Sequence, residues 1–152
     1  MTLHIYIDAD ACPVKEEAVR IATRYSLPIT FVSNSVLAPL AGPTVRQQVV
    51  SSGLDVADDW IVDNVQAFDI VVTADIPLAA ILVEKGVVAI DPRGTIYAPS
   101  NVKEALATRN LMQELRESGL AEGGPAPLGP KDRERFTNAL DRELTRLRRR
   151  GV

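Results

Sequence analysis

Short apolar runs alternate with segments of helical periodicity along most of the chain. Four runs rich in β-branched residues predict strands, namely LHIYID, PITFVS, DIVVTAD and VVAID. The segments between them predict helices from Val14 to Tyr25, after Pro43 and from Pro77 to Lys85. Strands and helices that alternate in this way form parallel sheets covered on both faces. The pattern therefore predicts an α/β fold with three layers, α/β/α, around a mainly parallel sheet.

Two parts of the chain depart from this alternation. Between Gly53 and Ala67 the pattern predicts a brief strand and then a helix from about Asp58. Beyond DPRG, helices are predicted over residues 101–118 and after Pro130, joined by GLAEGGPAPLGP, which is too rich in glycine and proline for regular structure. The final helix has an apolar stripe formed by Phe136, Leu140, Leu144 and Leu147. We expect this stripe to pack onto the rest of the protein.

Length and composition fit a single globular domain. The chain has 152 residues, of which 46% are hydrophobic, and a chain of this length buries about 70% of its unfolded surface. We expect a core over about 1–118, a connector over 119–130 and a C-terminal helix over about 131–149. A cytoplasmic location is expected, because no window approaches a membrane span and the first apolar stretch is too short and too acidic for a signal peptide.

The single cysteine and the single histidine exclude several kinds of chemistry. Cys12 cannot form an internal disulfide or a CxxC pair, and His4 cannot supply a histidine-rich zinc site. A Ser-His-Asp or Cys-His scheme would have to use His4, which falls inside the first predicted strand. We therefore interpret Cys12 as a small buried residue.

Charge is distributed unevenly along the chain. Residues 1–101 have a net charge of −6 and residues 102–152 one of +3, within a total of −3. The last stretch, RELTRLRRR, could attract phosphate, but a basic terminal helix is more often a solvated face. The solvated face is the preferred interpretation, and guidance of RNA is the alternative.

Polar side chains follow every predicted strand of the sheet. In chain order they are Asp8 and Asp10, Ser33 and Asn34, Thr73 and Asp75, and Asp91 and Arg93. The carboxyl ends of parallel strands meet at one edge, where ligands bind in open α/β sheets. Crowded carboxylates repel one another unless a cation neutralises them, and oxygen ligands without histidine favour Mg²⁺ or Mn²⁺. The sequence thus predicts a divalent-metal site at this edge.

The same aspartates could instead have structural roles. Asp75 could cap the helix that follows it, and Asp91 and Asp10 could shape turns. Asp58 lies near a predicted helix start, while Asp59 and Asp63 are typical of a solvated helix surface. The coincidence of acids at three strand ends favours a shared function, because capping alone does not require it.

Five motifs give the chain a family resemblance. DADACPVK, FVSNS, TADIPLA, DPRG and GGPAPLGPKDRERF, in this order, resemble the bacterial YaiI/YqxD family, which is grouped with PIN-like nuclease domains. The resemblance covers essentially the whole chain. It implies a three-layer α/β/α fold in which acidic residues hold Mg²⁺ or Mn²⁺ and cleave RNA.

The resemblance also implies roles for individual residues. Asp8 matches the first acid of PIN-like domains, Thr73 and Asp75 match their TxDxxLA turn, and Asp91 is placed like the acid after the next strand. The middle acid has two candidates, Asp55 and Asp58.

A nuclease mechanism follows from these positions. Asp8, Asp75 and Asp91, with Asp58, would hold the metal, and Asp10 is a further catalytic candidate. The predicted substrate-binding residues are Ser33, Asn34, Thr73, Arg93 and Lys15, of which Arg93 and Lys15 would contact phosphates.

Two other functions remain open. A HAD-like phosphatase would use the DxD formed by Asp8 and Asp10, with Ser33, Thr73 and Lys85 as further candidates, although DPRG supplies only one of the two later acids. A non-catalytic module that binds RNA or protein is the second alternative. The sequence assigns no oligomeric state.

Overall fold

A computed structural model describes residues 3–10, 12–38, 40, 42–124 and 126–151, which contain six strands and five helices. The strands are β1 (Ile5–Asp8), β2 (Ile29–Ser33), β3 (Val45–Val49), β4 (Ile70–Val72), β5 (Val88–Ile90) and β6 (Ile96–Tyr97). The helices are α1 (Lys15–Arg24), α2 (Val56–Asn64), α3 (Ile76–Glu84), α4 (Val102–Glu117) and α5 (Pro130–Arg149).

The strands form one mostly parallel sheet in the order β3-β2-β1-β4-β5-β6. All neighbouring pairs are parallel except β5 and β6, which are antiparallel. The predicted mixed α/β fold with a mainly parallel sheet is therefore confirmed. Because β1 pairs with both β2 and β4, the turns that follow β1 and β4 are neighbours at the carboxyl edge of the sheet.

Alternating side chains of the strands enter two different apolar clusters. Ile5 and Ile7 of β1 pack in one cluster with residues of α1 and α5, whereas Tyr6 packs in the other with residues of α2, α3 and α4. Successive side chains of a strand point to opposite faces of the sheet, so Tyr6 lies on the face opposite to that of Ile5 and Ile7.

Helix α5 contributes a fully apolar stripe to the cluster that it shares with α1. Phe136, Leu140, Leu144 and Leu147 are all buried there, as the periodicity predicts. Its first two turns lie against the turn after β5, where a Cβ added to Gly94 would stand 2.8 Å from the backbone of Arg135. Residues 119–129 of the connector form no helix or strand in their described part, position 125 lies outside it, and Pro130 already belongs to α5.

The helix predicted after Pro43 is wrong, because this segment forms the edge strand β3. The sequence VRQQV suits a helix as well as a strand, and pairing with β2 decides between them. The Gln47 side chain also accepts a hydrogen bond of 3.1 Å from the Leu37 amide and donates one of 3.2 Å to the Leu37 carbonyl. These two bonds fix the edge strand to the loop that follows β2.

Three further sequence predictions need correction. The brief strand predicted after Gly53 does not form, and α2 begins at Val56 rather than near Asp58. Strand β6 was not predicted, since two residues give no periodicity. Trp60 does pack against the apolar cluster, with its ring 6.0 Å from that of Tyr6 in an edge-on arrangement.

Helix α4 has much of its surface exposed. Of its predicted apolar positions Val102 is buried, while Met112 is 38% exposed and the neighbouring Leu111 is 54% exposed. Among the described residues, none of the helices combines the length and the apolar character needed to cross a lipid bilayer.

Candidate functional site

The carboxyl ends of β1 and β4 are joined through the buried hydroxyl of Thr73. Thr73 Oγ1 donates a hydrogen bond of 2.8 Å to Asp8 Oδ2 and accepts one of 3.0 Å from the Asp75 amide. Thr73 is only 1% exposed. One side chain therefore fixes the Asp8 carboxylate relative to the turn that leads into α3.

Asp75 is the N-cap of α3. Its Oδ1 accepts a hydrogen bond of 2.9 Å from the Leu78 amide, and Pro77 occupies the first turn. The capping role considered from the sequence is thus present. A cap also orients the side chain, because the helix end holds one carboxylate oxygen in place.

Helix α2 adds two further carboxylates to this edge of the sheet. Asp55 precedes the helix in a left-handed conformation, with φ 63°, and Asp58 lies in its first turn. Together with Asp75 they line a cavity of about 260 Å³. Of the two candidates for the middle acid, Asp58 is the one that lies within the helix.

The pKa of Asp58 reflects its surroundings. Burial, followed by the nearby carboxylates of Asp75 and Asp8, raises the pKa of Asp58 to about 7. Asp55 and a side-chain hydrogen bond to Asp75 act in the same direction. Like charges therefore crowd this cavity, and they favour the protonated form of Asp58 in the absence of a cation.

The same surroundings shift the pKa of Asp8. Burial raises the pKa of Asp8, the hydrogen bond from Thr73 lowers it, and the charges of Asp75 and Asp10 raise it. We refer to Asp8, Asp55, Asp58 and Asp75 as the acidic cluster.

Arg109 of α4 also lines the acidic cavity, and sequence reasoning did not identify it. It follows Ala105 by four residues and precedes Met112 by three, so helical spacing places it beside the apolar positions of α4. That spacing could have identified Arg109, although only the packing of α4 against α3 places it next to acids.

Hydrogen bonds to nearby loop residues are formed by Asp10, Asn34 and Ser33. Both carboxylate oxygens of Asp10 lie 3.1 Å from the amide nitrogen of Asn34, which donates to them. Ser33 is fully buried and its hydroxyl donates to the Ser35 carbonyl at 2.6 Å. The contact between Asp10 and Asn34 holds the loops after β1 and β2 together, and the predicted substrate roles of Ser33 and Asn34 stay predictions.

Lys15 lies at a separate cavity. That cavity has a volume of about 310 Å³ and is also lined by Cys12, Glu17 and Arg133. Arg133 of α5 forms an ion pair of 2.9 Å with Glu17 of α1 there. Cys12 is 7% exposed, and burial raises the pKa of its thiol to about 11, as expected for a structural residue rather than a nucleophile.

Asp91 and Arg93 face the start of α5 instead of the acidic cluster. The Asp91 carboxylate accepts a hydrogen bond of 2.6 Å from the Arg93 amide within its own turn. Burial raises the pKa of Asp91, and the charged groups that act on it are Arg93 and Asp132. The Arg93 guanidinium forms an ion pair of 3.1 Å with Asp132. The metal and phosphate roles predicted for Asp91 and Arg93 stay predictions.

The acidic cluster is not a complete metal cage. Within the described residues, no three side chains of histidine, cysteine, aspartate or glutamate are placed as a ligand set for one ion. The donors at the cavity are nevertheless all carboxylate oxygens, the type that Mg²⁺ and Mn²⁺ prefer.

Comparison with known proteins identifies one family. The profile of the family described as "Uncharacterized BCR, YaiI/YqxD family" matches residues 6–146. UPF0178 proteins of Brucella ovis, Brucella abortus and Brucella canis are each 50% identical over 151 residues, which cover 99% of this chain and 94% of each relative. No solved structure matches the chain.

Proposed function

This chain belongs to the YaiI/YqxD family, and we propose that it is a cytoplasmic, divalent-metal-dependent nuclease of three-layer, PIN-like architecture. Its substrate is RNA, and its site is the acidic cluster. The observation that supports this most strongly is that Thr73 links Asp8 to the turn of Asp75, and that Asp75 lines a small cavity together with Asp58 of a separate helix.

The chemistry of the donors fits Mg²⁺ or Mn²⁺. Mg²⁺ keeps several of its waters and is commonly bound by one or two carboxylates together with substrate phosphates. A partial set of carboxylates at an open cavity matches that mode of binding better than a closed protein cage. One or two of the carboxylates of Asp8, Asp58 and Asp75 would hold the ion, which would supply an activated water and neutralise charge on the phosphate.

The other residues of the site position these carboxylates. Thr73 fixes Asp8 through its hydroxyl, and the first turn of α3 fixes Asp75. The position of the Asp58 carboxylate depends on the placement of α2, where Trp60 packs edge-on against Tyr6 of β1. Carboxylates held in this way need little rearrangement to bind a cation.

The test is cleavage of a single-stranded RNA by the purified chain with Mn²⁺ or Mg²⁺. We expect cleavage that EDTA abolishes and that Asp8→Asn and Asp58→Asn each reduce by at least about a hundredfold. Asp63→Asn is the matched control, because Asp63 is exposed on the same helix as Asp58 and does not line the cavity. The control variant should keep wild-type activity.

The HAD-like alternative makes a different prediction in the same assay. An aspartyl-phosphate mechanism would hydrolyse phosphomonoesters through Asp8 and would need Asp10 as acid and base. Both oxygens of Asp10 instead contact the Asn34 amide. Monoester turnover that Asp8→Asn abolishes, without RNA cleavage, would replace the nuclease proposal with a phosphatase.

A further inference from the structure

A second cavity lies beside the acidic cluster along α4. It is an open groove of about 560 Å³ between the exposed face of α4, the start of α3 and strand β6. Its apolar side includes Ile76, Tyr97 and Met112, and its charged groups are Arg109, Arg116 and Glu104. We call it the α4 groove.

Arg109 connects the α4 groove to the acidic cavity, because its side chain lines both. A ligand that extends from the acidic cluster therefore passes Arg109 and reaches the apolar side of the groove. The two cavities form one continuous surface with carboxylates at one end and arginines beyond them.

The two arginines of the groove form no ion pair with the described carboxylates. Among the described residues, five arginines form ion pairs with carboxylates, and Arg109 and Arg116 are not among them. The guanidinium of Arg109 instead donates a hydrogen bond of 3.1 Å to the Asn110 side chain. Both guanidinium groups can therefore bind an external anion without breaking an internal ion pair.

We propose that the α4 groove binds a single-stranded nucleic acid next to the scissile phosphate, with Arg109 and Arg116 on backbone phosphates and a base over the apolar side. Only an unpaired strand fits, because bases in a duplex are stacked and paired in its interior. The volume of the groove lies in the range typical of small-molecule sites, which is sufficient for a nucleotide. This inference rests on the proposed nuclease function and specifies its substrate.

The charge of the groove favours a polyanion over a protein partner. Two arginines stand against one carboxylate, Glu104, and the nearer arginine borders the acidic cluster, which otherwise repels phosphate. A strand that reaches the cluster needs cationic contacts outside it, and Arg109 provides the nearest one. Arg109 and Arg116 are thus assigned as substrate-positioning residues.

The test is fluorescence anisotropy with a labelled RNA of about eight nucleotides, within the span of common single-strand sites. EDTA is present, so that no cleavage occurs. We expect the double variant Arg109→Gln, Arg116→Gln to weaken binding by about tenfold and to reduce the salt slope by about 1.4, since each phosphate contact accounts for about 0.7. The double variant Arg20→Gln, Arg142→Gln, which changes two exposed arginines of α1 and α5, is the charge-matched control and should bind as the wild type does. Circular dichroism verifies that each variant is folded.

Two further ligands define the class of nucleic acid. A duplex of the same length should bind clearly more weakly than the single strand, and equal binding would overturn the proposed base contact. Single-stranded DNA offers the same phosphates and unpaired bases as the RNA. Whichever of the two strands binds more tightly identifies the substrate class.

The outcomes separate this inference from the proposed function. If the wild type cleaves RNA but the double variant binds it with unchanged affinity, the proposed role of the α4 groove is wrong and the nuclease proposal stands. The groove would then be interpreted as a protein-binding face. Arginine-dependent binding without any cleavage would support the groove and overturn the nuclease.

Discussion

Arg93, in the turn after β5, forms an ion pair of 3.1 Å with Asp132 in the first turn of α5. The same guanidinium donates to the Ala126 carbonyl in the connector. Asp132 in turn accepts a hydrogen bond of 3.0 Å from the Gly129 amide. Arg93 therefore holds the connector and the start of α5 against the sheet, which is a structural role for a residue that the motif DPRG suggested as a phosphate ligand.

Replacement of Arg93 by alanine should lower the melting temperature by about 2–4 °C, because it removes a partly buried ion pair. Arg135→Ala is the control. Arg135 also pairs with Asp132, at 2.8 Å, but its side chain is 67% exposed and such pairs contribute little. Loss of RNA cleavage in Arg93→Ala at an unchanged melting temperature would instead support the phosphate role.

Gly94→Ala should destabilise the protein by about 3 kcal/mol. Its φ is +95°, and a Cβ there would lie 2.8 Å from the Arg135 backbone, so the new methyl group would push α5 away from the β5–β6 turn. Gly119→Ala has a comparable φ of +77° with nothing within 4 Å, and should cost only about 1 kcal/mol. Chemical denaturation of both variants measures the difference, and equal losses would disprove the close-contact explanation.

Mn²⁺ or Mg²⁺ should raise the melting temperature of the wild type, since a ligand that binds only the folded state stabilises it. At a hundredfold excess over the dissociation constant the gain is about 2.7 kcal/mol. Asp8→Asn and Asp75→Asn should each remove most of this gain. An unchanged metal response in both variants would count against the acidic cluster as the metal site.

Without metal, Asp58 should make the protein less stable as pH rises. The pKa of Asp58 is about 7 in the folded state against an ordinary value of 3.8, so folding favours its protonated form. The resulting stability is present at low pH and is lost as pH rises from about 4 to 7.

Asp58→Asn should therefore raise the free energy of unfolding at pH 8 by about 1 kcal/mol, because solvent screens much of the repulsion at a partly exposed site. The gain should vanish near pH 4. Denaturation with EDTA present measures it, with Asp63→Asn as a control. A gain of the same size at both pH values would show that charge is not its cause.

Deletion of residues 148–152 should leave RNA binding and its salt dependence unchanged. Arg148 and Arg150 lie over the rings of Tyr25 and Phe68, at 5.3 and 5.5 Å from their centres, and both rings belong to the amino edge of the sheet. From Asp132 to Arg148 the helix runs about 24 Å, away from the carboxyl edge.

These contacts favour the structural interpretation of the basic terminal helix. Anisotropy at two salt concentrations tests it, and a smaller salt slope after the deletion would show that the tail contacts RNA. Position 152 lies outside the described residues, so the contacts of Arg148 and Arg150 are the ones at issue.

Sequence periodicity predicted the parts of the fold in which burial dictates the pattern. The stripe from Phe136 to Leu147 is an example, because each position faces the same apolar cluster. Strand β3 was missed since an edge strand is only half-buried, and its polar residues have no period that distinguishes it from a helix.

The candidate site was predictable as far as strand order determines it. Asp8 and Asp75 follow neighbouring strands, so topology alone places them close together. Asp91 follows the next strand at the same edge, but local hydrogen bonding directs its carboxylate into its own turn. Arg109 depends on how two helices pack, a relationship between distant segments that no local pattern contains.

Trp60 is the only tryptophan of the chain, and it lies two residues after Asp58 on α2. Its indole ring contacts Tyr6 edge-on, on the strand that ends at Asp8. A cation that neutralises Asp58 would change the electrostatic surroundings of this ring. The protein thus has an intrinsic fluorophore next to its acidic cluster, and its emission spectrum can report cation binding without any added label.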